Sequence, residues 1–261
     1  DGYTNAVGRL VSSLKSPCKG LIGPWAHNFP HQGVPGPAIG FLQEALRWWD
    51  KWLKGIDTGV QDDPDMRTYL MESVRPATWY ATRPGRWLAD PQTKTQNWFL
   101  SDDGLGPSKG TLRCIISSPH DTGADAGEYC AIWLGPEQPG DQRKDDANSA
   151  TFDSAPLETD LPVVGAPAIR LTLSADAPVA QIAVRLNHVH SDGASTRITY
   201  GVLNLSHRDG PSDPRAMVPG HEAKITLALD HIAYRVPKGH RLRVAVSTAY
   251  WPLIWPAPQA A

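Results

Sequence analysis

Two hydrophobic periodicities divide this chain. Before residue 56 the spacing is helical. Val7, Leu10, Val11 and Leu14 recur three and four apart within residues 5–15, which predicts an amphipathic helix. Phe41, Leu42, Ala45, Leu46, Trp49, Trp52 and Leu53 share one face of a second predicted helix, residues 41–54, closed by Gly55. Between them the short apolar run at residues 18–22 reads as a buried strand. From residue 66 the period falls to two. Met66, Thr68, Leu70 and Glu72 face one way, and Arg67, Tyr69 and Met71 the other. Further strands are predicted at 112–116, 169–173, 182–186, 198–205, 225–229 and 242–246. In the fourth of these Ile198, Tyr200 and Val202 share a face but Leu203 and Leu205 do not, which predicts a bulge near Gly201. Turns are expected at Ser191-Asp192-Gly193 and Lys238-Gly239. No strand is predicted over residues 121–149.

The 24 prolines fit short strands and long ordered loops better than a helical protein. A polar, Asp-rich link at residues 56–65 marks the expected domain boundary. The strand at 18–22 breaks at Gly23-Pro24 and then presents Trp25-Ala26-His27, so the imidazole is expected on a loop at the strand's carboxyl end, where open α/β sheets bind ligands. An acidic residue at Asp1, then helix, strand, histidine loop and helix, is the order of the last third of an α/β-hydrolase, whose triad runs Ser, Asp or Glu, His along the chain.

These motifs carry a resemblance to a known family. Asp1-Gly2-Tyr3, then Leu21-Ile22-Gly23-Pro24-Trp25-Ala26-His27, then a Trp-rich helix ending at Trp52-Leu53-Lys54-Gly55, resemble the cocaine esterase and X-prolyl dipeptidyl peptidase family of serine hydrolases. The second half resembles that family's C-terminal sandwich through Asp145-Asp146-Ala147, through residues 201–208 and through residues 251–256. The resemblance implies a mainly β fold: the C-terminal portion of an α/β-hydrolase (a helix–strand–helix remnant, residues 1–56) followed by a jelly-roll-like β-sandwich (residues 57–261). It implies that Asp1 is the triad acid and His27 the base, with Trp25 beside them as a candidate for the substrate pocket. The expected substrate is a small ester or an X-prolyl peptide.

No serine here sits among small residues at a strand-to-helix turn, as a nucleophile elbow requires. Ser12 and Ser13 fall on a helix, Ser195 in a hairpin, and Ser206 at a strand end. The chain is therefore expected to be a piece of a hydrolase, cut at its triad aspartate and again before the last sandwich strands, whose partner is the missing N-terminal part of the catalytic domain. Alone it is expected to be inactive. The competing functional class is a jelly-roll module that binds carbohydrate or protein, against which stands the helix–strand–histidine–helix segment.

Composition narrows the partners. A net charge of -2 and a pI near 6.5 give no reason to expect nucleic acid or an anionic membrane. No apolar run reaches the roughly 20 residues of a spanning helix. The expected compartment is the cytoplasm, and a homo-oligomer is possible. No cofactor and no metal are expected. Cys18, Cys114 and Cys130 read as free thiols, although Cys114 and Cys130 could pair in an exported protein. His27 and His31 are four apart, but Pro30 argues against a helical zinc pair. His188 and His190 share one strand face and could bind metal, yet read more simply as sheet residues. Asp62-Asp63 and Asp145-Asp146 could hold calcium, yet read as solvated acidic pairs. Of the tryptophans, Trp49 and Trp52 lie on the helical stripe and are expected to pack in a core.

Overall fold

Alternation and apolar stripe translate into thirteen strands and three α-helices in the computed structural model, which describes residues 3–132 and 136–258. In chain order these are α1 (Thr4–Ser13), β1 (Gly20–Ile22), α2 (Phe41–Lys54), β2 (Met66–Glu72), β3 (Gly85–Ala89), β4 (Phe99–Ser101), β5 (Gly104–Gly106), α3 (Arg143–Ala147), β6 (Ala150–Asp153), β7 (Leu161–Gly165), β8 (Ala168–Leu173), β9 (Gln181–Val189), β10 (Ser195–Asn204), β11 (Ala223–Ala228), β12 (Ile232–Val236) and β13 (Arg241–Ser247). The fold is mainly β, with a helix–strand–helix segment in front. Among the described residues no helix is long and apolar enough to cross a membrane.

α2 stops where the sequence says it should. Gly55 adopts φ 71°, its N–H reaches the Lys51 carbonyl at 3.1 Å, and the Ile56 N–H reaches that of Asp50 at 3.0 Å. A left-handed residue closes the last turn in this way, and glycine adopts it without strain. Lys51 and Lys54 in the final turn complement the carbonyl end of the helix dipole.

β2 is the seam of the molecule. Along one edge it pairs antiparallel with β3, from Arg67 opposite Ala89 to Met71 opposite Gly85. Its other edge is shared by two parallel strands placed end to end: β1 against Met66–Thr68, and β12 against Met71 and Glu72. Arg67 pairs with both Leu21 and Ala89, and Met71 with both Gly85 and Tyr234, so β1 and β12 lie on the same side. β7 then adds antiparallel to β12. The sheet thus runs across the Asp-rich link at 56–65. α1 is tied to the far end of the chain as well, since the Asn5 side chain donates to Asp230 at 2.6 Å and accepts from the His231 N–H at 2.8 Å.

The second sheet is antiparallel, in the order β10–β9–β13–β6. Its inner face sends Ile182, Val184, Leu186, Ile198, Leu242 and Val246 into a core closed by Ile225 and Leu227 of the β8–β11 pair and by Tyr234 and Val236 of β12. Each such buried side chain contributes roughly 1.5–3 kcal/mol. The outer face of β9 is buried too. Ala183 packs on Tyr250 and Ala126, and Arg185 and Asn187 are fully enclosed. Burying polar groups there requires partners. Asp146 accepts from Asn187 at 2.9 Å, the Ser195 hydroxyl at 2.7 Å and Arg243 at 3.0 Å, and pairs with Arg185 at 3.2 Å. Asp145 accepts from the N–H groups of Gly123 and Asp125.

Several expectations are corrected. Asp145 and Asp146 are not solvated; they are the buried anions that neutralise Arg185 and Arg243. Asp63, too, is claimed by Arg47 at 3.0 and 3.2 Å. Residues 112–116 are not a strand: Ile115 is 98% exposed, while Leu112 and Ile116 rest on the core without a ladder partner. The register shift in β10 falls between Arg197 and Thr199, three residues before Gly201. Gly201 is glycine for another reason, because a Cβ there would stand 2.7 Å from the Ala228 carbonyl oxygen. Trp49 and Trp52 are not core residues: they are 53% and 43% exposed.

Candidate functional site

The His27 loop begins where β1 leaves the β2 edge. Gly23 and Pro24 end the strand, and Trp25 then folds back between two glycines: a Cβ at Gly23 or Gly33 would lie 2.6 or 2.1 Å from its ring. The Trp25 indole N–H donates to the Pro37 carbonyl at 2.7 Å. The loop backbone is pinned on either side of the histidine. The Ala26 N–H reaches Val34 O at 3.0 Å, and the His27 N–H reaches Ala131 O at 2.7 Å. The imidazole itself is exposed, its centroid 5.5 Å from that of Tyr3. Asp1 lies outside the described residues.

Where β1 gives way to β12 along β2, the sheet leaves a cavity of about 240 Å³. Trp25 and His27 line it together with Tyr69, Arg83, Tyr129 and Tyr234. Arg83 is its notable cation. Its guanidinium lies 4.8 Å over the Tyr80 ring, Nε and Nη2 are buried without a hydrogen-bond partner, and burial lowers its pKa. Such a group is suited to an oxygen ligand that brings its own lone pairs. Among the described residues no serine lines the cavity. The Ser195 hydroxyl donates to Asp146, Ser12 and Ser13 to the Arg9 carbonyl, and Ser206 to Asn204. His31 stacks on Phe41 with ring centroids 6.1 Å apart. The three cysteines are free.

A second cluster lies at one end of the core. His188 and His190 do share a face, as their spacing indicates, and His240 joins them from the turn before β13. Burial, then the neighbouring His190 and His240, pushes the His188 pKa down to about 3. Burial also lowers that of His190. Sequence spacing could not supply His240, which arrives only because β13 pairs with β9. Arg83 was equally hidden, since a lone arginine in a Pro-rich run carries no local signal.

Comparison with known proteins places this geometry. A family model described as the X-Pro dipeptidyl-peptidase C-terminal non-catalytic domain matches residues 58–261. Proteins of Mycobacterium bovis and Mycobacterium tuberculosis, both bearing the name serine esterase, are 28% identical over 279 residues, covering 95% of this chain and 43% of theirs. The chain thus spans less than half the length of these relatives. Among solved structures, an aminopeptidase from a marine sediment Thaumarchaeota archaeon superposes with a TM-score of 0.70 at 18% identity, over 94% of this chain and 44% of that one. An α-amino acid ester hydrolase gives 0.69 at 17%, over 92% and 44%. A CocE/NonD family hydrolase from Staphylococcus aureus gives 0.54 at 13%, over 83% and 40%. At these identities the structures establish a shared fold, that of the C-terminal portion of α/β-hydrolase-type proteins.

Proposed function

Because the chain belongs to the X-Pro dipeptidyl-peptidase C-terminal domain family, we propose that it forms the C-terminal part of a serine hydrolase that cleaves acyl esters or X-prolyl peptide bonds. The nucleophilic serine is contributed by sequence outside these 261 residues, and Asp1 and His27 act as the acid and base of the triad. Residues 1–56 complete the catalytic domain, and residues 57–261 form an accessory jelly-roll sandwich that shares a sheet with it. The observation that supports this best is the place of His27, on the loop at the carboxyl end of a parallel strand and on the wall of a cavity.

In this mechanism the His27 imidazole takes the serine proton as the hydroxyl attacks the carbonyl carbon, and then delivers it to the leaving alcohol or amine. Asp1 fixes the ring tautomer and stabilises the imidazolium. Trp25 forms an apolar wall beside the reacting centre, and Arg83 offers its unpartnered N–H groups to an oxygen of the substrate.

The test uses the full-length protein, an activated acyl ester and an X-prolyl anilide. His27→Ala should abolish turnover of whichever substrate is accepted. The 261-residue chain alone should not exceed the background of its own His27→Ala variant. Undiminished turnover in full-length His27→Ala removes His27 from the triad. Turnover by the short chain that depends on one of its own serines overturns the division of the triad.

A further inference from the structure

Of the histidines that the hydrolase chemistry leaves without a role, three stand together. His188 lies near the end of β9, His190 just past it, and His240 just before β13. The β9–β13 ladder puts His188 opposite Leu242, which draws the His240 ring over the His188 ring. His188 Nε2 and His240 Nδ1 are 2.6 Å apart. Ring centroids are separated by 4.0 Å for His188 and His190, 4.8 Å for His188 and His240, and 5.4 Å for His190 and His240. One ring nitrogen from each falls within 4.8 Å of the other two. His188 is completely buried and His190 nearly so, while His240 is half-buried.

The outer nitrogens of the two buried rings are already engaged. His188 Nδ1 lies 2.9 Å from the Tyr234 hydroxyl, and His190 Nε2 lies 3.0 Å from that of Thr196. Thr196 donates its own proton to the Val74 carbonyl at 3.2 Å, so toward His190 it accepts. That assigns the His190 proton to Nε2 and the lone pair to Nδ1. The tautomer in which His188 Nδ1 donates to Tyr234 turns the Nε2 lone pair toward the other rings. Hydroxyl acceptors on the far nitrogen are the outer contacts that orient metal-bound imidazoles.

We propose that His188, His190 and His240 form a binding site for a divalent transition metal, zinc foremost, at the end of the sandwich core. Three imidazoles supply three ligands, and a solvent molecule or small anion completes the set from the side of half-buried His240, as in three-histidine zinc sites. Calcium and magnesium are not candidates, because they take oxygen ligands. In the metal-free protein, His188 and His240 share one hydrogen bond. On metal binding, the half-buried His240 ring moves aside to admit the ion between them.

Untagged chain, stripped with chelator, is titrated with zinc against a chromogenic competitor, and with cobalt(II) to read ligand geometry by visible absorption. About one equivalent should bind, with a tetrahedral cobalt spectrum. His240→Ala should lower affinity by more than the roughly 10- to 100-fold expected of an outer-shell change, whereas Thr196→Val should fall inside that range and keep the cobalt spectrum. His31→Ala should change neither. Zinc should raise the thermal midpoint of the unmutated chain, and magnesium should not, a readout that stands even if a variant fails to fold. Zinc binding equally tight in His240→Ala, or no midpoint shift with zinc in the unmutated chain, overturns the site.

Discussion

α2 and β9 carry equally clear patterns and meet opposite fates. The apolar stripe of α2 has no buried residue: Leu46 is 57% exposed and Trp49 53%. In β9 every residue after Gln181 is buried, on both faces, including an arginine and an asparagine. The contrast extends to their surroundings. Among the described residues, apart from Ala26 and Pro35, the buried hydrophobic side chains all lie at or beyond Val60. The pattern of a segment thus says which face seeks cover, and only the remainder of the fold decides whether cover arrives. For the outer face of β9 it arrives from α3, which carries Asp145 and Asp146. For α2 the proposed catalytic domain would supply it.

The sharpest way to break this comparison is to ask whether chemistry and stability are separable between the two regions. In the proposed full-length hydrolase, Asp1→Asn should reduce turnover by about 10⁴-fold, because the wrong histidine tautomer is then favoured, while the unfolding midpoint stays put. Turnover within tenfold of the parent would remove Asp1 from the reaction. Next in size, Asp146→Ala should destabilise the chain by about 3–5 kcal/mol in denaturant unfolding, since buried Arg185 would keep only the Ser149 hydroxyl at 2.7 Å and the more distant Asp145 carboxylate at 3.7 Å. A loss below about 1 kcal/mol would show that the network is dispensable. Leu242→Ala, at the heart of the core, should cost about 2–4 kcal/mol by the same measurement.

The smallest effect is the most telling. In the isolated chain Leu46→Gln should change the unfolding free energy by less than about 0.5 kcal/mol, as for other surface substitutions. In the full-length hydrolase the same change should cost roughly 1.5–3 kcal/mol, if α2 is then covered. Equal costs in both settings would mean that nothing packs on this helix.

Much of this was legible in the residues, and what was hidden follows a rule. α2 and β2 coincide with their predicted spans, because each obeys a single period over its length and is bounded by glycine or polar residues. The strands β6, β7 and β12 were not foreseen. They are four or five residues long, and Pro162 interrupts one of them, so their existence depends on a partner far along the chain. The histidine loop could be read locally because strand, break and motif are contiguous. Its cavity could not, since about a third of the wall comes from residues 197–200 and 230–234. The Asp145-Asp146 pair was misjudged for a similar reason: its arginines lie about 40 and 97 residues away.

The end-to-end arrangement of β1 and β12 on one edge of β2 also has a temporal meaning. A ribosome that has just released Glu72 must still make about 160 residues before Ile232 emerges, which takes roughly 10–30 seconds at 5–20 residues per second. During that interval β1 can occupy only Met66–Thr68, and the backbone at Met71 and Glu72 is an open strand edge beside Leu70 and Tyr69. Such an edge invites pairing with a neighbouring nascent chain. The wall of the cavity next to His27 therefore waits for residues far downstream of it, and any interruption of synthesis before Ile232 leaves it unbuilt however complete the sequence around the histidine is.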